Sequence, residues 1–272
     1  MLTSLSDRFL ERGKMKLKIA PEIAAIAAAA VVAALLITRV HPAPQDDVLA
    51  SYSTDLSQRT PHQRYNARRA AAVDGVVVKP GTTFSFDGIL HGWTADQGFM
   101  KAPVSYDGTL VDDYGGGVCE TSTTIYNAAL LAGLPIVERH AHSFSPSYAP
   151  PGRDAAVAYP SADLRFTNPY PWPITLHVRP WADRLVCRIQ ALHPPPSTVR
   201  LRAEILGRLR PADAPVIPGA GLARSRWQLR GRDGLRVAIY RTWYEDGNPV
   251  RTEEVSDDTY LPISRIAWES SR

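Results

Sequence analysis

Residues 115–124 read Gly115-Gly116-Gly117-Val118-Cys119-Glu120-Thr121-Ser122-Thr123-Thr124. Three glycines run into a cysteine, and the cysteine opens a segment that reads as a helix to Leu131 and stops at Gly133. The backbone N–H groups of a helix start point outward and favour an anion. A thiol placed there has a lowered pKa and becomes a nucleophile. Cys119, Ser122 or Thr123, and Tyr126 share one face of this helix. The run from Ala128 to Ala132 is apolar on every side, so the second half of the helix is expected to be buried.

Short strands surround the helix in sequence. Before it, Leu56 to Asp74 reads as a helix, Val76–Val78 and Thr83–Phe86 as strands, and Gly98–Val111 as a hairpin turning at Asp107-Gly108. After it, Ile136–Phe144 alternates as a strand that places Glu138, His140 and His142 on one face. Ala155–Tyr159, Asp163–Thr167, Ile174–Val178 and Arg184–Ala191 read as further strands. Pro194-Pro195-Pro196 marks a boundary. Beyond it, residues 199–206, 225–229, 235–244 and 250–254 read as strands, with a turn at Asp246-Gly247-Asn248. The expected fold is α+β, a Cys-bearing helix on an antiparallel sheet with a β-rich C-terminal extension. The expected divisions are 1–18, a basic cytoplasmic segment; 19–40, a membrane anchor; 41–55, a linker; 56–195, the main domain; and 196–272, the extension.

The net charge of +4 is concentrated at the N-terminus. Arg8, Arg12, Lys14, Lys16, Lys18 and Arg39 face only Asp7, Glu11 and Glu22 in the first forty residues, which leaves 25 basic and 24 acidic residues for the rest. A body so nearly neutral gives no electrostatic case for nucleic acid. The uncharged run from Ile23 to Thr38, extended to Ile19, is long enough to span a bilayer. Five of the six basic residues precede it, which puts the N-terminus in the cytoplasm and the body outside. A cleaved signal peptide is a second reading of this run, though no convincing Ala-x-Ala site precedes His41, and a buried soluble helix is a third.

A cysteine nucleophile needs a base, and the base needs an orienting group. His140 and His142 follow Cys119 by about twenty residues, and Asp154 and Asp163 follow them. His140 is the first choice of base and His142 the second, with either aspartate as the orienter. Gly115, Gly116 and Gly117 would admit a substrate backbone, with Glu120, Ser122, Thr123 and Tyr126 beside it. The Cys119 amide would help hold an oxyanion. Two other readings stand beside this one. In an oxidising compartment Cys119 can pair with Cys187, the one other cysteine. Cys119, His140 and His142 can also supply three metal ligands, although their spacing matches no zinc signature. No cofactor is implied, and no metal is assigned.

At these residues the chain resembles the VanW-like proteins. The stretch Gly115 to Ala129 carries the resemblance most clearly. It continues in Gly133-Leu134, Glu138-Arg139-His140, His142-Ser143, Tyr148 to Val157 and Asp163 to Asn168, and upstream in Pro80 to Phe86 and Gly98-Phe99. It covers roughly residues 60–180. The tail, with Arg241-Thr242 and Tyr260-Leu261-Pro262, resembles the β-rich extension that follows some such domains. The resemblance implies a bacterial cell-envelope protein of a family named from vancomycin-resistance gene clusters, with peptidoglycan or its precursors as the partner. A thiol acyltransferase or peptidase, a non-catalytic binder of peptidoglycan or glycopeptide, and a structural envelope protein are all compatible with it. It also sets Cys119 apart from Cys187, which lies outside the signature. Glu120 stands where the family often has Gln, and Asp87 where Asn is common.

Overall fold

The computed structural model describes residues 47–106, 109–195, 197–211, 217–218, 231–264 and 268–269. The anchor expected at 19–40 and the strand expected at 225–229 lie outside them. Among the described residues no helix is long and apolar enough to cross a membrane.

The chain runs β1 (Asp47–Asp55), α1 (Pro61–Ala70), a 3-10 turn at Ala71–Val73, β2 (Val77–Val78), β3 (Thr83–Ser85), α2 (Asp87–Leu90), β4 (Lys101–Tyr106) and β5 (Thr109–Tyr114). It continues with α3 (Val118–Leu131), β6 (Ile136–Glu138), β7 (Arg165–Thr167), β8 (Ile174–Trp181), β9 (Arg184–Ala191), β10 (Thr198–Leu209), β11 (Ile217–Pro218), β12 (Gly234–Glu245), β13 (Asn248–Tyr260) and β14 (Trp268–Glu269). The architecture is mixed, with few helices and mostly antiparallel sheets. The largest sheet has the order β1-β9-β8-β2, and smaller ones are β3-β7-β6, β4-β5 and β10-β12-β13. The pair β11-β14 is parallel and two residues long.

Helix α3 is the centre of the core. Every residue from Glu120 to Leu130 is buried, including Ile125, Tyr126 and Leu130. Burying each of these large side chains contributes roughly 1.5–3 kcal/mol. Thr121 to Thr124 is a poor helix former by intrinsic preference, and tertiary contacts hold it instead. Thr121 Oγ1 donates to the carbonyl of Ala67 at 2.9 Å, and Thr124 Oγ1 bonds Thr54 Oγ1 at 2.8 Å, tying α3 to α1 and β1. Gly133, at φ 73°, ends the helix with two bonds, from the Gly133 amide to Leu130 O and from the Leu134 amide to Ala129 O.

Three expectations need correction. Residues 47–55, expected in a linker, form β1 and pair with β9 from Asp47↔Ala191 to Asp55↔Arg184. The helix expected from Leu56 starts at Pro61. Thr60 caps it, accepting from the Gln63 amide, while the Gln63 side chain accepts from the Thr60 amide. The strand expected through Phe144 ends at Glu138. The third difference moves the histidines. Residues 46–272 make up one compact unit, so β10, β12 and β13 belong to the same body as α3.

Candidate functional site

The start of α3 is set by close backbone contacts. Gly117 has φ 110°, and a Cβ there would lie 2.3 Å from the Gln63 carbonyl oxygen of α1. A Cβ on Gly116 would lie 2.7 Å from the carbonyl oxygens of Ala102 and Pro103 in β4. Asn66, fully buried, clamps the same turn. Its Nδ2 donates to Gly116 O at 2.9 Å and Met100 O at 2.8 Å, and its Oδ1 accepts from the Met100 amide at 2.8 Å. The glycines expected to admit a substrate are therefore packed against this chain's own backbone. A Cβ on the third, Gly115, would collide with the Trp93 ring.

The hydroxyl face of α3 fastens a neighbouring segment. Ser122 Oγ donates to Ala155 O at 2.6 Å, and Thr123 Oγ1 accepts from the Ala155 amide at 2.9 Å. Asn127 Nδ2 donates to Arg153 O at 2.7 Å. Tyr126 is fully buried beneath the Arg139 guanidinium, 5.4 Å from the ring centroid. Ser122 and Thr123, expected at the substrate, instead hold Ala155 alongside the helix, with Asn127 holding Arg153, and Tyr126, expected there too, is buried under Arg139. That fastening brings Asp154 and the carbonyl of Val157 to the N-terminal end of α3. Cys119, part-exposed, lies 3.5 Å from Val157 O through its sulfur.

Of the two histidines, the structure puts His142 at the thiol. Its Nδ1 is 2.6 Å from Asp154 Oδ2, and its backbone amide donates to the same oxygen at 2.9 Å. Asp154, fully buried, makes Nδ1 the protonated nitrogen and leaves Nε2 for the sulfur. The Tyr148 hydroxyl lies 3.4 Å from Nε2, and the two rings meet edge to face. His140 is turned elsewhere, with Nε2 2.9 Å from Glu138 Oε1. The expected alternation fails because the His142 amide bonds a carboxylate instead of continuing a ladder. Asp163, the other expected orienter, accepts from Ser85 Oγ at 2.6 Å and from the Asp87 amide at 2.8 Å, with no bond to a histidine among the described residues.

Electrostatics favour an ion pair. Burial opposes ionisation of Cys119, but the hydrogen bond and charge of His142 outweigh it and lower the thiol pKa. Burial opposes charging of His142, yet the bonds to Asp154 and Cys119 push its pKa up to about 10. Burial also opposes the Asp154 carboxylate, and His142 and Arg139 hold its pKa below the ordinary value. Both shifts favour a thiolate beside an imidazolium over the neutral pair. The Cys119 amide, in the first turn of α3, donates to no acceptor among the described residues. Such a donor suits an oxyanion formed next to the sulfur.

A layer that the motif reasoning missed supports Asp154. Arg139 Nη2 donates to Asp154 Oδ1 at 3.1 Å, and its Nη1 reaches both oxygens of Asp258 at 2.6 and 2.7 Å. The Tyr260 hydroxyl also donates to Asp154 Oδ1. Arg139 and Tyr148 sit in the same sequence blocks as His140 and Asp154, so a reading of those blocks as a set would have found them. Asp258 and Tyr260 come from β13, where sequence distance gave no signal. Glu120, expected at the substrate, turns away from the thiol and meets Arg59 Nε at 3.0 Å, with 1% of its side chain exposed. Burial raises its pKa to about 7 against the pull of Arg59.

Cys119 and Cys187 are both free thiols. Cys187 is buried on β9, where burial raises its pKa. The disulfide weighed as an alternative is absent, and of the three residues weighed as metal ligands His140 is turned away from Cys119 and His142 to Glu138.

Residues 62–190 match the protein family described as VanW like protein. Over 139 residues the chain is 37% identical to YoaR, an uncharacterized protein of Bacillus subtilis (strain 168), covering 51% of this chain and 46% of that one. Over 110 residues it is 28% identical to the vancomycin B-type resistance protein VanW of Enterococcus faecalis (strain ATCC 700802 / V583), covering 38% of this chain and 40% of that one. The chain thus spans less than half the length of each of these relatives. No solved structure matches it.

Proposed function

From the premise that residues 62–190 are a VanW-like region, we propose that this protein is a cell-envelope thiol acyltransferase or peptidase acting on peptides of the wall. The carrying observation is the line Cys119–His142–Asp154, with the imidazole held at 2.6 Å by a fully buried carboxylate. Residues 19–40 would anchor the chain, leaving the described body outside the membrane, where peptidoglycan or its precursors are the available peptides. The resistance-associated name of one relative agrees with a role at the wall.

In this reading the Cys119 thiolate attacks a peptide carbonyl carbon. A C–S bond forms, and the carbonyl electron pair moves to oxygen, which the Cys119 amide stabilises. His142 gives its Nε2 proton to the leaving nitrogen as the C–N bond breaks, and a thioester remains. A second amine or water then attacks the thioester, its proton returns to His142, and the thiolate leaves. Asp154 keeps its charge throughout and fixes the ring orientation, while Arg139 and Tyr260 keep that carboxylate ionised and in place.

The test is covalent trapping. A stem-peptide thioester incubated with the full chain should leave an acyl adduct on Cys119, read by peptide mass spectrometry, and His142→Ala should remove it. Absence of an adduct with intact, folded protein overturns the catalytic role and leaves a non-catalytic wall binder.

A further inference from the structure

A second cleft includes Tyr159, two residues after Val157, in its lining. It has a volume of about 380 Å³ and is lined by Asp87, Glu138, Asp163, Arg165 and Tyr159, with Ser85 and His91 at its wall. Two of its three carboxylates are already satisfied. Asp163 accepts from Ser85 Oγ and from the amides of Asp87 and Leu164. Glu138 accepts from His140 and the Asp163 amide and faces Arg165 at 3.8 Å. Asp87 is different: only 8% exposed, it has no hydrogen-bond partner on either carboxylate oxygen among the described residues. Its own amide donates to Asp163 Oδ1, which fixes Asp87 in the lining of the cleft, with both carboxylate oxygens buried and Glu138 and Asp163 in the same lining.

A buried carboxylate without a donor is costly unless a cation or a proton joins it. Burial, Asp163 and Glu138 together raise the Asp87 pKa to about 6, and a cation beside it would favour the charged form. The three carboxylates do not form a cluster of direct metal ligands among the described residues. What fits instead is a compact cation that brings its own N–H donors. A primary ammonium offers three donors around one point charge. Arg165 and His91 at the wall make a second bulky cation such as guanidinium a poorer match.

We propose that this cleft is a subsite for the primary ammonium group of a peptide ligand, with Asp87 as its counter-ion. Asp163 and Glu138 add to the negative field, and Tyr159 supplies an apolar side for the alkyl chain that carries the ammonium. Tyr159 follows Val157 by two residues, at most about 7 Å of chain, and Val157 O touches the Cys119 sulfur. A peptide carrying an amino side chain would thus be anchored at Asp87 while a carbonyl nearby lies at Cys119. The placement relative to Cys119 rests on the function proposed above, whereas ammonium binding itself does not.

The experiment uses the full chain with Cys119→Ser, so that no thiol chemistry contributes. Binding of Nα-acetyl-lysine amide is compared with that of Nα-acetyl-norleucine amide, a neutral ligand of similar shape, by NMR titration. The lysine probe is expected to bind at least tenfold more tightly, and Asp87→Asn to abolish that preference. Because Asp87→Asn removes a buried carboxylate, its melting temperature is expected to equal or exceed that of the parent. Should the variant not fold, Glu138→Gln serves in its place, with a several-fold weaker preference expected. Equal affinity for the two probes, a preference that survives in the variant, or saturable calcium binding that excludes lysine overturns the inference. Failure of acyl trapping on Cys119 alongside retained lysine preference would sink the catalytic reading and leave this site standing.

Discussion

The Tyr260 hydroxyl donates to Asp154 Oδ1 and accepts from the Gly152 amide at 2.7 Å, joining two residues 106 positions apart. Tyr260 is the last residue of β13 and is almost wholly buried. Asp258, on the same strand, holds the far side of Arg139. The C-terminal sheet therefore completes the support of the carboxylate that orients His142.

Tyr260→Phe keeps the ring and removes the bridge. It leaves the Gly152 amide and one side of Asp154 without a partner in a buried place, which costs about 1–3 kcal/mol. Urea unfolding should show a loss of this size. The imidazole would be held less firmly, so Cys119 alkylation should slow as well. A stability loss with unchanged alkylation kinetics would confine Tyr260 to folding.

The thiol itself is tested by iodoacetamide across pH. With Cys119 lowered and His142 raised, the alkylation rate should rise at lower pH than in the unfolded chain. A free cysteine is only a few per cent ionised at about pH 7, and a low-pKa thiolate is intrinsically less nucleophilic. The net expectation is a rate roughly tenfold above that of the unfolded chain. His142→Ala should move the profile to higher pH, whereas His140→Ala should not. A shift with the His140 variant alone would reverse the assignment.

The bounds of the Cys-bearing helix were legible in sequence, and the reasons are local. Glycines before Cys119 and Gly133 after Leu131 are start and stop signals that need no tertiary information. Asp246-Gly247, with both residues at positive φ, turns β12 into β13 for the same reason. The choice between His140 and His142 was not legible, because it depends on where a strand ends. Period-two alternation put both on one face, but β6 stops at Glu138 once the His142 amide finds Asp154. The hydroxyls of Ser122 and Thr123 read as ligand groups because sequence shows their spacing and not the Ala155 backbone they bind. Asp258 and Tyr260 required knowing that β13 folds back over residues 139–154. No local pattern carries that.

Asp154→Asn should lower both stability and reactivity. Breaking a buried ion pair leaves Arg139 and His142 under-compensated, and such losses run to about 3–5 kcal/mol. The pH dependence follows from two opposed shifts. Asp154 has a lowered pKa, so its contribution is present above the ordinary 3.8 and is lost as pH falls through the folded value. His142 has a raised pKa, so its contribution is full below 6.5 and is lost as pH rises towards about 10. The parent's advantage over the variant should therefore be greatest between about pH 4 and 6.5 and shrink on either side. Stability measured at pH 3, 5.5 and 9.5 checks this, and an advantage independent of pH would contradict the pairing.

Glu120→Gln should act in the opposite sense. Glu120 is buried, and its pKa is raised from 4.5 to about 7, so the folded state holds a proton that the unfolded state has released between those values. Parent stability then falls as pH rises through that window, by about 3 kcal/mol at most. Glutamine fills the same space without ionising, and Arg59, more exposed than its partner, keeps its contacts with Ser147 and the Tyr148 ring. The two proteins should be about equally stable near pH 4 and diverge above it, with the variant the more stable at pH 8. Parallel urea titrations at the two pH values measure the difference. If the variant is instead less stable at pH 8, the Arg59–Glu120 pair contributes more than the burial of its carboxylate costs.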